Sequence, residues 1–279
     1  MDKIAILLTC FNRKDKTLTC LNALYQFDLN FDVFLVDDGS TDGTSDAIKK
    51  RFPKVNIISG SGNLFWSRGM RLAWEVASKH NYTFYIWLND DVFLYPNAFR
   101  ELLECSKIQN DRAIISGIIE SESGEVLYGG FSENREIISA NNELNPIRSL
   151  NGNAVLVPQF VFDRIGLFDN VFHHDLGDVD YGLRALSNGI KVLSTRVAIA
   201  QGEKNLICRE RLNNSTLSQR LKKLYSPLGS NPNINFYFRK KHKSVLNAIA
   251  YYLFQHFLNI IPDSLNKILF KNKYQSIIP

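Results

Sequence analysis

Residues 31–44 read Phe31-Asp-Val-Phe-Leu-Val36 and then Asp37-Asp-Gly-Ser-Thr-Asp-Gly-Thr44, an apolar run broken at once by carboxylates and small polar residues. A run this short, halted by turn-forming residues, reads as a buried strand whose carboxyl end opens into a loop. The same pattern stands on either side of it. Lys3–Thr9 (KIAILLT) leads into Cys10-Phe-Asn-Arg13, Val55–Ser59 into Gly60–Arg68, and Thr83–Leu88 (TFYIWL) into Asn89-Asp90-Asp91. Between these strands lie Lys14–Phe27, with Leu18, Leu21 and Leu24 at helical spacing, then Asp42–Phe52 and Ser67–Lys79. Strands alternating with helices predict an α/β fold, a mainly parallel sheet with helices on both faces. Pro96 is expected to open the next helix, where proline is tolerated.

Beyond Ala113 the pattern changes. Ala113–Glu120 and Glu125–Gly130 predict a hairpin, and Asn153–Val157 a further strand. A helix near Phe160–Ile165, a loop at Phe172–Gly177, a helix from Asp178 and a last strand at Val192–Ala200 follow. No strand is expected after Arg209. This places an α/β domain at 1–208 and a helical C-terminal region at 209–279. The charge divides at the same place: residues 1–208 hold 21 Lys+Arg against 26 Asp+Glu, and residues 209–279 hold 12 against 2. An acidic body and a basic tail imply different partners for each. Cys10, Cys20, Cys105 and Cys208 form no CxxC pair, so they read as ordinary buried thiols, neither a zinc site nor a disulfide framework. Met1-Asp2-Lys3 runs into an apolar stretch too short for a signal peptide, which predicts a cytoplasmic protein.

In open parallel sheets, ligands bind beyond the carboxyl ends of the strands. Four polar clusters fall there: Thr9–Arg13, Asp37–Ser40, Gly60–Arg68 and Asn89–Asp91. Each alone is ordinary turn chemistry; four on successive strands point to a site. The adjacent carboxylates Asp90 and Asp91 repel and need a cation, a hydrogen-bonding partner or solvent. Mg²⁺ or Mn²⁺ held by one or two carboxylates together with substrate phosphates meets that need. Gly60-Ser61-Gly62 lacks the third glycine of a dinucleotide fingerprint, and no G-x-x-x-x-G-K-[ST] loop is present. Those absences argue against a Rossmann oxidoreductase and a P-loop ATPase.

Thr9-Cys-Phe-Asn-Arg13, Val36-Asp-Asp-Gly-Ser-Thr-Asp-Gly-Thr44, Gly62-Asn63, Leu88-Asn-Asp-Asp-Val92, Asn151-Gly-Asn153 and Gly177-Asp-Val-Asp-Tyr-Gly-Leu-Arg184 occur in order over residues 3–205. Together they resemble the inverting family-2 glycosyltransferases of bacterial surface-polysaccharide synthesis. The resemblance implies the GT-A fold and transfer of a sugar from a nucleoside diphosphate to a glycan hydroxyl. The implied donor is a UDP-sugar, with dTDP-rhamnose as the alternative, and the implied acceptor is lipid-linked. Thr9, Phe11 and Asp38 match positions holding the nucleotide base and ribose, with Phe11 stacking and Asp38 accepting from an imide N–H. Asn63 and Arg68 sit on the loop expected to meet the donor, though Arg68 reads equally as a surface salt bridge. Asp91 matches the last residue of the metal-binding D-x-D element, here Asn-Asp-Asp, with Asp90 nearer the ribose or a metal-bound water.

Asp178 matches the catalytic base; on the residues alone it is equally a helix N-cap. Asp180 and Asp175 are its rivals. Asn151, Gly152, His174 and Asp175 are expected around the acceptor and sugar, although the paired His173-His174 is also an ordinary loop feature. Many relatives carry a histidine after the last strand to complete the metal shell, and Gln201 stands there instead. A sugar nucleotidyltransferase is the competing enzyme, but its glycine-rich, lysine-bearing loop is missing. A non-catalytic sugar-nucleotide-binding protein would not need Asp178.

In the tail, Arg239-Lys-Lys-His-Lys243 precedes Ser244–Ile261, which carries no charge. Asn247, Tyr251, Gln255 and Asn259 form a polar stripe and Val245, Ile249, Leu253, Phe257 and Ile260 an apolar one. Such a helix beside a cationic run fits an anionic membrane surface on the inner face of the cytoplasmic membrane. The alternative is a helix docked on the catalytic domain or on a second subunit. No nucleic-acid motif accompanies the basic residues.

Overall fold

The computed structural model describes residues 2–203 and 210–271. The chain forms two compact units, Met1–His173 with Gly177–Lys204, and His174–Leu176 with Asn205–Pro279. The expected boundary at 208/209 and Cys208 lie outside the described residues.

The first unit is built on β1 (Ile4–Cys10), β2 (Phe31–Asp37), β3 (Asn56–Ser59), β4 (Phe84–Leu88), β5 (Phe93–Leu94), β6 (Ile114–Glu120), β7 (Val126–Tyr128), β8 (Ala154–Pro158) and β9 (Val192–Gln201). They form one sheet in the order β3-β2-β1-β4-β8-β6-β9-β5, with β7 paired to β6. The β3-β2-β1-β4 half is parallel, as the alternation predicts. Antiparallel β8 then joins β4, placing Ala154 beside Leu88. Because β6 runs antiparallel to β8 and parallel to β9, Gln201 ends at that same edge of the sheet.

The helices are α1 (Lys14–Leu24), α2 (Thr44–Arg51), α3 (Phe65–Ala77), α4 (Ala98–Ile108), α5 (Gln159–Ile165) and α6 (Gly177–Ser187). Period-two alternation in β1 decides which face each covers. Ile4, Ile6 and Leu8 pack with Leu21, Leu24, Ile48 and Phe99 of α1, α2 and α4. Ala5 and Leu7 face Met70, Trp74, Val161 and Tyr181 of α3, α5 and α6. α4 begins two residues after Pro96, because Tyr95 N–H first pairs with the Ile199 carbonyl. Cys10, Cys20 and Cys105 are buried free thiols, and burial pushes Cys10 and Cys105 up to about 12.

The second unit contains α7 (Leu217–Leu224), α8 (Pro232–His242), α9 (Val245–Ile260) and α10 (Asp263–Phe270), and no strand among the described residues. Thr216 and Gln219 form a capping box on α7, and the Ser244 hydroxyl accepts from Asn247 N–H to cap α9. Asp263 binds the buried guanidiniums of Arg211 at 2.5 Å and Arg220 at 3.0 Å, and both donate to the Ile261 carbonyl. These two arginines cap the carbonyl end of α9 and so count toward its fold, not the surface charge.

Candidate active site

The carboxyl ends of β1 to β4 converge through backbone-level contacts. Asp37 closes its own turn, accepting from Ser40 N–H at 2.9 Å and from the Ser45 hydroxyl. Asn12 ties the β1 loop to the β2 loop: its Oδ1 accepts from Thr41 N–H at 2.7 Å, and its N–H donates to Ser40 Oγ. Gly39, at φ +81°, lies so close to Gly62 that a Cβ there would fall 3.1 Å from Gly62 Cα. Two loops therefore meet with no side chain between them.

Asp38 holds that junction. It is buried, and its carboxylate accepts from the backbone N–H groups of Gly62 (2.8 Å), Leu64 (2.8 Å) and Phe65 (3.0 Å). Both oxygens are engaged inside the protein. These bonds shape the loop leading into α3. Phe11, by contrast, is 52 % exposed just past the end of β1. Thr9 is half-buried against Gly69, and Asn63 is exposed on the same loop.

The Asp pair divides its labour. Asp90 is buried and accepts from Thr17 Oγ1 at 2.8 Å and from Arg13 Nη1 at 3.1 Å. Asp91, more exposed, accepts from Arg13 Nη2 at 2.9 Å. One guanidinium thus bridges both carboxylates. Desolvation raises the Asp90 pKa, with Arg13 opposing it. Through this contact Asp90 positions Arg13. Among the described residues no group of three or more His, Cys, Asp or Glu could by itself hold a metal ion. What the site offers a divalent cation is the Asp91 carboxylate, with Arg13 on one oxygen. That donor set fits an ion such as Mg²⁺ or Mn²⁺, which accepts one protein carboxylate when phosphates and waters complete the shell. Gln201 lies at this edge on β9, opposite Phe93 of β5.

A second chain of contacts reaches Asp178. Trp66 Nε1 donates to Asn89 Oδ1 at 2.7 Å, and Asn89 Nδ2 donates to Asn153 Oδ1 at 2.6 Å. The indole lies against Gly152, where a Cβ would fall 2.4 Å from Trp66 Cη2 and 3.2 Å from Asp178 Cβ. Gly152 N–H donates to Asp178 Oδ2 at 2.8 Å, and Val179 N–H to Asp178 Oδ1 at 2.8 Å. An N-cap accepts from the N–H two or three residues on, so this cross-connection is not a simple cap. Asp178 is half-buried, and desolvation raises its pKa against the pull of the Val179 and Gly152 N–H groups. Asn151, beside it, has a buried Oδ1 with no hydrogen-bond partner among the described residues.

Asp180 is fully buried, and Arg184 Nε donates to it at 2.8 Å while the same guanidinium holds the Ile165 and Leu167 carbonyls. It is structural, which removes it as a rival base. Arg68 Nε donates to the Asn170 carbonyl at 2.9 Å. His174 and Asp175 fall in the second unit, 4.0 Å from each other. Trp66, Asn89 and Asn153 had no assigned role in the sequence reading; only their nearness to Arg68, Asp90 and Gly152 could have drawn attention to them.

The Glycosyl transferase family 2 model matches residues 5–166, more than half of the chain. The chain belongs to that family. No curated protein matches it. Among solved structures, S. aureus TarS superposes with a TM-score of 0.60 at 13 % identity, covering 96 % of this chain and 45 % of that one. The chain therefore spans under half of that TarS structure. A shorter TarS, residues 1–349, in complex with UDP-GlcNAc gives 0.57 at 12 % identity, over 96 % of this chain and 74 % of that one. The mannosyltransferase PcManGT from Pyrobaculum calidifontis, in complex with GDP-Man and Mn²⁺, gives 0.54 at 13 % identity, over 96 % and 78 %. The fold is that of the GT-A glycosyltransferases.

Proposed function

We propose that this glycosyltransferase moves one hexosyl unit from a nucleoside-diphosphate sugar to a hydroxyl of a lipid-linked glycan, with inversion, in bacterial surface-polysaccharide synthesis. A UDP-sugar is the favoured donor and dTDP-rhamnose the alternative. The observation that carries the reading is the run of contacts from Trp66 through Asn89, Asn153 and Gly152 to a half-buried carboxylate, Asp178, at the ligand-binding edge of the sheet. The family membership and the nucleotide sugars in the similar structures support it.

Phe11 offers a face for the base, and the loop pinned by Asp38 lines the donor. Arg13 places a positive charge beside the diphosphate. Asp91 would hold a divalent cation, which when bound supplies neutralising charge to the departing diphosphate. Asp178 takes the proton from the acceptor hydroxyl as that oxygen attacks the anomeric carbon. Its desolvation-raised pKa makes the carboxylate a stronger base than an exposed one. Asn151 Oδ1 is a free acceptor for a sugar or acceptor hydroxyl.

The test is to incubate the protein with UDP-, dTDP- and GDP-sugars and follow release of nucleoside diphosphate. Asp178→Asn should keep donor binding and cut transfer by about 10²–10⁴-fold. Normal transfer by that variant would remove the assigned base. Absence of nucleoside diphosphate release from every donor would favour a sugar-nucleotide-binding protein without catalysis.

A further inference from the structure

α9 is inside out. Its polar residues face the protein: Gln255 and Asn259 are fully buried, with Gln255 Nε2 donating to the Ser230 carbonyl at 2.6 Å and Asn259 Nδ2 to the Glu210 carbonyl at 3.0 Å. Its apolar residues face outward: Leu246 is 79 % exposed, Leu253 62 % and Ile260 61 %, with Ile249 and Phe257 between them. At 100° per residue these five fall on one stripe, diametrically opposite Gln255. α10 repeats the inversion, with Asn266 buried and Ile268 and Leu269 exposed. The expected stripes are present, but a polar interior and an apolar exterior are the reverse of a helix that merely docks on a core.

The surface charge indicates what covers this face. Arg211 and Arg220 are consumed by Asp263, and Arg239 stacks 3.5 Å over Tyr251 while Nη1 donates to Asn247. Among the described residues of the unit, every exposed charged residue is a lysine: Lys222, Lys240, Lys241, Lys243, Lys267 and Lys271. Lys240, Lys241 and Lys243 immediately precede the stripe, and Lys267 and Lys271 bracket Ile268 and Leu269 in sequence. A second copy packed through the same face would bring lysines toward lysines, with no exposed acid among the described residues of that unit to meet them. An anionic surface with an apolar interior satisfies both features. α9 has 16 residues, about 24 Å at 1.5 Å per residue, against the ~30 Å of a hydrocarbon core. None of the described helices is long and apolar enough to cross a membrane.

We infer that the exposed face of α9 and α10 lies in the plane of an anionic phospholipid surface, with Leu246, Leu253, Phe257 and Ile268 in the acyl boundary and the flanking lysines on the headgroups. This stands whether or not the proposed sugar transfer is correct.

The experiment is flotation of the full 279-residue chain with two vesicle types, pure phosphatidylcholine and phosphatidylcholine containing about one-third phosphatidylglycerol. Binding to the anionic vesicles alone is expected, with partial release at high salt, where screening shortens to a few Å. Lys240→Gln with Lys241→Gln should weaken partitioning about 30-fold at low salt, at roughly five-fold per lysine. Leu253→Glu with Phe257→Glu should abolish it, while the melting curve stays unchanged because both side chains already face out. No binding to anionic vesicles overturns the inference, as does undiminished binding by the Leu253→Glu, Phe257→Glu variant. A dimer in sedimentation equilibrium that this variant converts to monomer, without vesicle binding, also overturns it and assigns the face to a second copy.

Discussion

Arg13→Gln is the most informative perturbation of the site. It deletes the guanidinium shared by Asp90 and Asp91 and leaves the Asp90 side chain, 2 % exposed, with Thr17 as its remaining partner. Stranding one partner of a buried ion pair costs ~3–5 kcal/mol. Because the Arg13 side chain is itself 36 % exposed, the low end applies, about 2–3 kcal/mol. For a chain of this size that is a fall in Tm of about 5–10 °C. The loss should depend on pH in a definite direction. Burial already holds the native Asp90 carboxyl above its ordinary value, so the folded chain binds that proton more tightly than the unfolded one. The cost of the buried charge is then absent in acid and grows as pH rises through the native pKa. Arg13→Gln raises that pKa further, so its deficit should be smallest in acid and grow as pH rises through the raised native pKa. Thermal melts across that range check this, together with the double variant Arg13→Gln, Asp90→Asn, which should recover most of the stability. If the double variant melts no higher than Arg13→Gln, Arg13 is not there to neutralise Asp90.

Three further outcomes are expected. Gly152→Ala drives a methyl into the Trp66 ring and displaces the N–H that binds Asp178; stability should drop by about 1–3 kcal/mol and transfer by more than ten-fold, measured by melts and initial rates. Chelator should suppress transfer, and Asp91→Asn should raise the metal concentration needed to restore it; full turnover in excess EDTA would leave the Asp pair as donor-positioning groups. The transfer rate of the wild type should fall as pH drops through a pKa above the ordinary carboxylate range, because desolvation raises Asp178, and Asp178→Asn should lack that acid limb.

The parallel half of the sheet was readable because its strands are largely apolar and are broken by polar loop residues at their carboxyl ends. β5 was not, since two residues carry no period, and only its pairing with Gln201 makes it a strand. The positions of Asp91 and Phe11 just past strand ends, and of Asp178 at the start of a helix, were legible in the sequence. The three backbone bonds of Asp38 were not, because the groups a carboxylate accepts from depend on how a distant loop folds back on it. Trp66 escaped for a similar reason: its value lies in Gly152, 86 positions away, leaving room for an indole. In the tail the two stripes of α9 were correctly drawn, but periodicity cannot say which one turns inward. That was decided by the carbonyls of Ser230 and Glu210, to which Gln255 and Asn259 donate.

The three inward bonds of Asp38 bear on how donor choice can change over evolution. In the proposed reading, the exposed ring of Phe11 meets the incoming base. Stacking on an aromatic face is satisfied by any base, purine or pyrimidine, since each presents a π-surface. In that reading, discrimination between nucleotides falls to groups around Phe11 and Asn63, both exposed. Such positions can be exchanged without endangering the fold. A lineage built on this frame can therefore switch from one nucleotide sugar to another by a few surface substitutions, while Asp38, by staying where it is, keeps the receiving loop in shape throughout.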